Sequence, residues 1–87
     1  MITRTEPLLR AIRLALDGDW EGAHQIAQAD PGADAAWIHA WLHRIEGDDA
    51  NAEYWYRRAG RSPAEGSTAE EAATIAASLS GNIAGPG

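Results

Sequence analysis

The strongest constraint on the fold is a Gly-Asp pair that occurs twice, 29 residues apart. Gly18-Asp19 and Gly47-Asp48 are each followed, four residues after the aspartate, by an alanine, Ala23 or Ala52. Glycine can adopt the left-handed conformation that ends a helix, and aspartate is a favoured N-cap for the next one. A small alanine then lets the second helix approach the first. The repeat predicts two helical hairpins, which stack because neither can bury its own apolar face.

Other helix signals extend this prediction to five helices. Pro7 suits a first helical turn, whereas Pro31-Gly32 must end a helix. Asp34 is expected to cap the third helix, and Asp48 or Asp49 the fourth. The predicted helices span about residues 6–17, 20–29, 35–46, 50–59 and 68–79, within a single domain of residues 1–80 that is followed by a flexible tail, 81–87.

The start of the fifth helix carries two overlapping capping signals. Ser67 with Glu70, and Thr68 with Glu71, each fit the capping-box pattern, in which two side chains bond the helix's first N–H groups reciprocally. The preceding stretch contains Pro63 and reads as a linker. We therefore expect a C-terminal helix that caps the second hairpin.

Composition restricts the function classes. The 87 residues include no cysteine, so disulfides, thiol nucleophiles and cysteine-ligated zinc are excluded. The net charge of −6 disfavours binding to nucleic acid or to an anionic membrane. No apolar run is long enough to span a bilayer, and arginines interrupt the apolar N-terminal stretch. We expect a cytoplasmic protein.

The second hairpin resembles a tetratricopeptide repeat. The matching positions of the motif are Gly47, Asp48, Ala52, Tyr56 and Ala59. The first hairpin matches at Gly18, Asp19, Trp20 and Ala23, then departs at Asp30 and Pro31. The resemblance implies an all-α fold of two stacked antiparallel hairpins with a C-terminal capping helix. It also implies a small protein-interaction module.

The block of residues 37–60 is similar to one in a family of small bacterial proteins whose function is uncharacterised. It reads WIHAWLHRIEGDDANAEYWYRRAG. This similarity implies a shared family and transfers no activity.

Histidines on the third helix suggest a metal site. His39 and His43 are four residues apart, Glu46 follows one turn later, and His24 of the second helix can approach if the hairpins pack. Two imidazoles and a carboxylate on one face can bind zinc or another divalent ion. The alternative is structural: neutral histidines bonded to a carbonyl, an indole or a carboxylate. No glutamate base lies between the histidines, so the metalloprotease pattern is absent.

Aromatic residues suggest a protein-binding surface. In the repeat register Trp37 and Trp41 project towards the concave face, and Tyr54 adds a third large aromatic side chain. Tryptophan and tyrosine dominate interface hot spots, so a protein partner or a second copy of the chain could bind there. The alternative is that the fifth helix covers this face and the tryptophans form the core.

Arginines near the same helices have two interpretations. Arg44 and Arg58 could receive a carboxylate or phosphate and belong to the interaction surface. Alternatively they form surface ion pairs, with Asp48 or Asp49 reaching Arg44, as Glu53 reaches Arg57. No phosphate loop or nucleophile triad is present and no catalytic residue is predicted, so binding is favoured over catalysis.

Overall fold

A computed structural model describes residues 5–84, with side chains described up to residue 80. Within this range the chain is all-α and contains no strand. The helices are α1 (Thr5–Leu16), α2 (Trp20–Ala29), α3 (Ala33–Ile45), α4 (Asp49–Ala59) and α5 (Thr68–Ala84). The predicted all-α class and the five predicted helices are confirmed.

The two Gly-Asp turns have the same geometry. Gly18 and Gly47 have positive φ angles of 97° and 86°. The carboxylate of Asp19 accepts from the Gly22 N–H at 2.9 Å, and that of Asp48 accepts from the Asn51 N–H at 3.2 Å. The first turn joins α1 to α2 and the second joins α3 to α4, and both helix pairs are in contact.

The cap of α3 differs from the prediction. The N-cap is Gly32, and no side chain bonds the free N–H groups there. Asp34 lies inside the first turn, because Pro31 and Gly32 allow the helix to begin two residues earlier than expected. At that position its charge still faces the positive end of the helix dipole.

Helix α3 is the centre of the molecule, and it contacts all four other helices. Its residues from Ala35 to His43 are all buried. A helix that is apolar on almost every side is stable only when neighbours surround it, which is the arrangement found here.

Helix α5 covers the remaining face of α3. Ser67 and Glu70 form the reciprocal capping box, with bonds of 2.9 and 3.0 Å. Buried Ala72, Ile75 and Leu79 face the core. The helix continues to Ala84, so it extends into the predicted tail; residues 85–87 of that tail lie outside the described residues.

In the part of the chain that the structure describes, every helix is too short or too polar to cross a membrane.

Candidate metal centre

Three histidines from two hairpins meet between α2 and α3. The ring centroid of His24 lies 4.6 Å from that of His39 and 5.5 Å from that of His43. The His39 and His43 rings are stacked at 5.0 Å, as their spacing on one helical face requires. His39 and His43 are only 4% and 8% exposed, whereas His24 is partly buried.

The ring nitrogens are close enough to share one ion. One nitrogen from each of the three rings lies within 4.8 Å of the others. Two nitrogens bound to a tetrahedral zinc ion stand about 3.4 Å apart, given Zn–N bonds of about 2.0–2.1 Å. Among the described residues, no hydrogen bond engages the rings of His24 or His39.

Burial favours the neutral forms of His24 and His39. Desolvation, followed by the charges of His24 and His43, lowers the pKa of His39 from 6.5 to about 4. Desolvation, followed by the charge of His43, also lowers the pKa of His24. A neutral imidazole retains the lone pair that a metal ion requires.

Two indoles hold the imidazoles from either side. Trp20 stacks on His24 at 4.7 Å, and Trp55 stacks on His39 at 3.8 Å. The Trp20 Nε1–H donates to the Leu42 carbonyl at 2.7 Å, which fixes that indole. Sequence reasoning missed both contacts. The four-residue spacing of Trp20 and His24 was a usable signal, whereas Trp55 reaches the cluster only through the packing of α4 on α3.

Glu46 belongs to the cluster through His43. The Glu46 Oε2 lies 2.8 Å from the His43 Nδ1. His43, Glu46 and Asp48 form a second group of close ligand atoms, but the Asp48 carboxylate already accepts two bonds from Asn51. Those bonds lower the pKa of Asp48. The four predicted metal ligands therefore fall into two groups that share His43, and Glu46 is in the group without His24 and His39.

Three residues of the predicted interaction surface contact α5 or the loop before it, and two of them are core residues. Trp37 and Trp41 are 4% and 0% exposed, so the expectation that they face a partner is wrong for this structure. The Trp41 Nε1–H donates to the Thr68 carbonyl at 2.8 Å, because α5 covers this face. Arg44 pairs with Glu71 at 2.8 Å and not with Asp48 or Asp49.

Buried Glu71 organises that covered face. Its Oε2 accepts from the Trp37 Nε1–H at 3.1 Å and from the Tyr56 hydroxyl at 2.6 Å, and its Oε1 accepts from Arg44. Arg44 also donates to the Gly66 carbonyl. Burial and the bond to Glu71 raise the pKa of Tyr56. The sequence pattern predicted Glu71 only as a capping-box partner of Thr68, so it carried no signal for this network.

Two predicted interaction residues stay at the surface. Tyr54 is 45% exposed, and the Arg58 guanidinium lies over the rings of Tyr54 and Trp55, at 5.8 and 5.3 Å from their centroids. Arg57 and Arg61 are exposed nearby, and Arg61 lies 3.4 Å above the Trp37 ring centroid. Within residues 5–84, none of these three arginines forms an ion pair, so the predicted Glu53–Arg57 pair is absent.

No protein-family model, curated protein or solved structure matches this chain. A groove of about 770 Å³ between α1 and α2 is lined by Leu14, Ile26 and Pro31 among others, and by none of the histidines.

Proposed function

We propose that this protein binds a divalent transition-metal ion of the zinc class through His24, His39 and His43. The observation that carries the proposal is the approach of three imidazole nitrogens to within 4.8 Å of one another. The hairpins bring them together, since His24 lies on α2 and the other two lie on α3. We also propose that the two hairpins stack on each other in the manner of tetratricopeptide repeats, which places α2 beside α3.

The chemistry of the donors favours zinc, nickel, cobalt or copper. Imidazole nitrogen suits these borderline ions, whereas magnesium and calcium require oxygen ligands. Zinc in proteins is usually four-coordinate, so three protein ligands leave the fourth position for a water molecule. Structural zinc sites differ, because they use four protein ligands. The stacked indoles fix two of the rings, so little side-chain freedom is lost on binding.

Calorimetric titration of the full chain with zinc at pH 7.5 tests the proposal. We expect binding tighter than about 1 mM for the wild type. His39→Ala should abolish it, while Gln25→Ala, an exposed change on α2, should leave it unchanged. Circular dichroism checks that each variant is folded. Absence of binding by the folded wild type, or equal binding by His39→Ala, would overturn the proposal.

A second candidate function is protein binding through Tyr54, Arg58 and Arg61. These arginines have no acidic partner within the described residues, although the chain as a whole carries a net charge of −6. Stacking on aromatic rings holds a guanidinium in place, and a guanidinium has enough N–H donors to bind a carboxylate even though the Arg58 Nη1 also donates to the Tyr54 hydroxyl at 3.4 Å. We propose an acidic segment of a partner protein as the ligand. A second copy of this chain is another outcome of the test.

Titration with a labelled peptide rich in aspartate and glutamate tests this surface. Arg58→Ala combined with Arg61→Ala should weaken binding. The matched control combines Arg10→Ala with Arg13→Ala, which removes the same charge from exposed positions on α1. Equal weakening by both pairs would show an effect of net charge and reject the surface. Sedimentation of the peptide-free chain reports whether it forms a dimer.

A further inference from the structure

The carboxylate of Glu46 faces the edge of His43 that carries Nδ1. The two atoms, Glu46 Oε2 and His43 Nδ1, are 2.8 Å apart. Glu46 is the C-cap of α3, and its backbone N–H bonds to the carbonyls of Leu42 and Arg44. The backbone that carries this carboxylate is therefore fixed by the end of the helix.

This hydrogen bond determines which nitrogen of His43 can bind an ion. An ionised carboxylate only accepts hydrogen bonds, so the hydrogen between the two groups belongs to Nδ1. In the neutral ring, Nε2 then carries the lone pair. A partner on one ring nitrogen both orients a metal-bound histidine and raises its basicity.

The alternative is that Glu46 itself binds the ion, together with His43 and Asp48. The contacts of these groups favour a different role. Asp48 is the N-cap of α4, and its carboxylate bonds to the Asn51 backbone and side chain at 3.2 and 2.8 Å. The side chain of Glu46 is 40% exposed, so it lies partly in solvent. Among the ring nitrogens of the three histidines, only the Nδ1 of His43 bonds to another described group.

We infer that Glu46 is a positioning residue of the metal centre: it holds hydrogen on the His43 Nδ1 so that Nε2 binds the ion beside His24 and His39. This inference rests on the proposed metal-binding function. It divides the four clustered side chains into three ligands and one carboxylate that acts through a ligand.

The first measurement requires no metal. Nitrogen NMR of the metal-free chain at pH 8 should show His43 with hydrogen on Nδ1. Glu46→Ala should remove this preference, whereas Glu46→Gln should retain it, because the amide oxygen also accepts from Nδ1. Glu53→Gln, an exposed carboxylate on α4, is the matched control and should change nothing.

The second measurement is zinc calorimetry on the same variants. Loss of such a partner weakens metal binding by about 10–100-fold, so Glu46→Ala should fall in this range and Glu46→Gln should lose less. X-ray absorption of the zinc-loaded wild type should show three imidazoles and no carboxylate from this chain. Glu53→Gln should bind zinc as the wild type does.

The outcomes separate the two proposals. If the wild type binds no zinc, the metal-binding function fails. If the wild type binds zinc and Glu46→Ala binds equally well with an unchanged His43 tautomer, only the role of Glu46 fails. Detection of a carboxylate oxygen that disappears in Glu46→Ala would also overturn this inference, because Glu46 would then be a ligand.

Discussion

At the residue scale, two clusters of buried polar side chains contact α3, and they differ in how many of their polar atoms are hydrogen-bonded. Both carboxylate oxygens of Glu71 are engaged inside the protein, because they accept three hydrogen bonds from Trp37, Tyr56 and Arg44. The rings of His24 and His39, by contrast, are buried or partly buried beside each other without such bonds. A satisfied network stabilises a fold, whereas unengaged nitrogen atoms are available to bind a ligand.

Removing the Glu71 carboxylate should strongly destabilise the protein. Glu71→Ala leaves a largely buried guanidinium, an indole N–H and a hydroxyl without their partner. Breaking a buried ion pair in this way costs about 3–5 kcal/mol of the free energy of unfolding. Urea denaturation measures it. Glu70→Ala is the control, since it removes only a cap contact worth about 1 kcal/mol; an equal loss in both variants would contradict the role of Glu71.

The metal-free protein should lose stability as the pH falls below 6.5. The folded state holds the pKa of His39 at about 4, against 6.5 for the exposed side chain. Between these values the unfolded chain binds more protons, so acid favours unfolding. We expect the melting temperature to fall between pH 6.5 and 4 in the presence of a chelator. The fall should be smaller in His39→Gln, and an identical fall would exclude this origin.

At the element scale, the Gly-Asp repeat sets the hairpin turns. Both glycines have positive φ angles, and both aspartates cap the helix that follows. These features were predictable from the sequence because they depend on adjacent residues. The start of α3 was not predictable in this way. Asp34 fits the local preference for aspartate at an N-cap, but the helix begins after Gly32, two residues earlier than that preference indicates.

Gly47→Ala should destabilise the second hairpin. A side chain in the left-handed region costs about 1–2 kcal/mol, and φ at this position is 86°. Gly47→Asn should cost less, because asparagine tolerates this region. Gly18→Ala, at a φ of 97°, should cause a loss similar to that of Gly47→Ala. Thermal unfolding measures all three, and unchanged stability in Gly47→Ala would contradict the prediction.

At the scale of the whole molecule, the proposed ion joins the two hairpins. His24 belongs to the first, and His39 and His43 belong to the second. The sequence indicated the pair on one helix face, since a spacing of four residues fixes it. It could not establish the approach of His24 or the burial of Glu71, because both depend on how separate helices pack.

Zinc should therefore raise the melting temperature of the entire protein. A ligand at 100 times its dissociation constant stabilises the folded state by about 2.7 kcal/mol. For a domain of this size that corresponds to a rise of roughly 10–20 °C. Differential scanning calorimetry of the wild type and of His39→Ala measures it. A rise of the same size in His39→Ala would place zinc elsewhere.

The four tryptophans fall into two pairs with different surroundings. Trp20 and Trp55 stack on imidazoles of the metal centre, whereas Trp37 and Trp41 donate hydrogen bonds to α5. The molecule therefore contains separate fluorophores for its two clusters. Copper or nickel bound by the histidines would quench emission from the first pair, because these indoles stack on the imidazoles that hold the ion. Release of α5 would shift the emission of the second pair to longer wavelength, so one spectrum could follow both events without an added label.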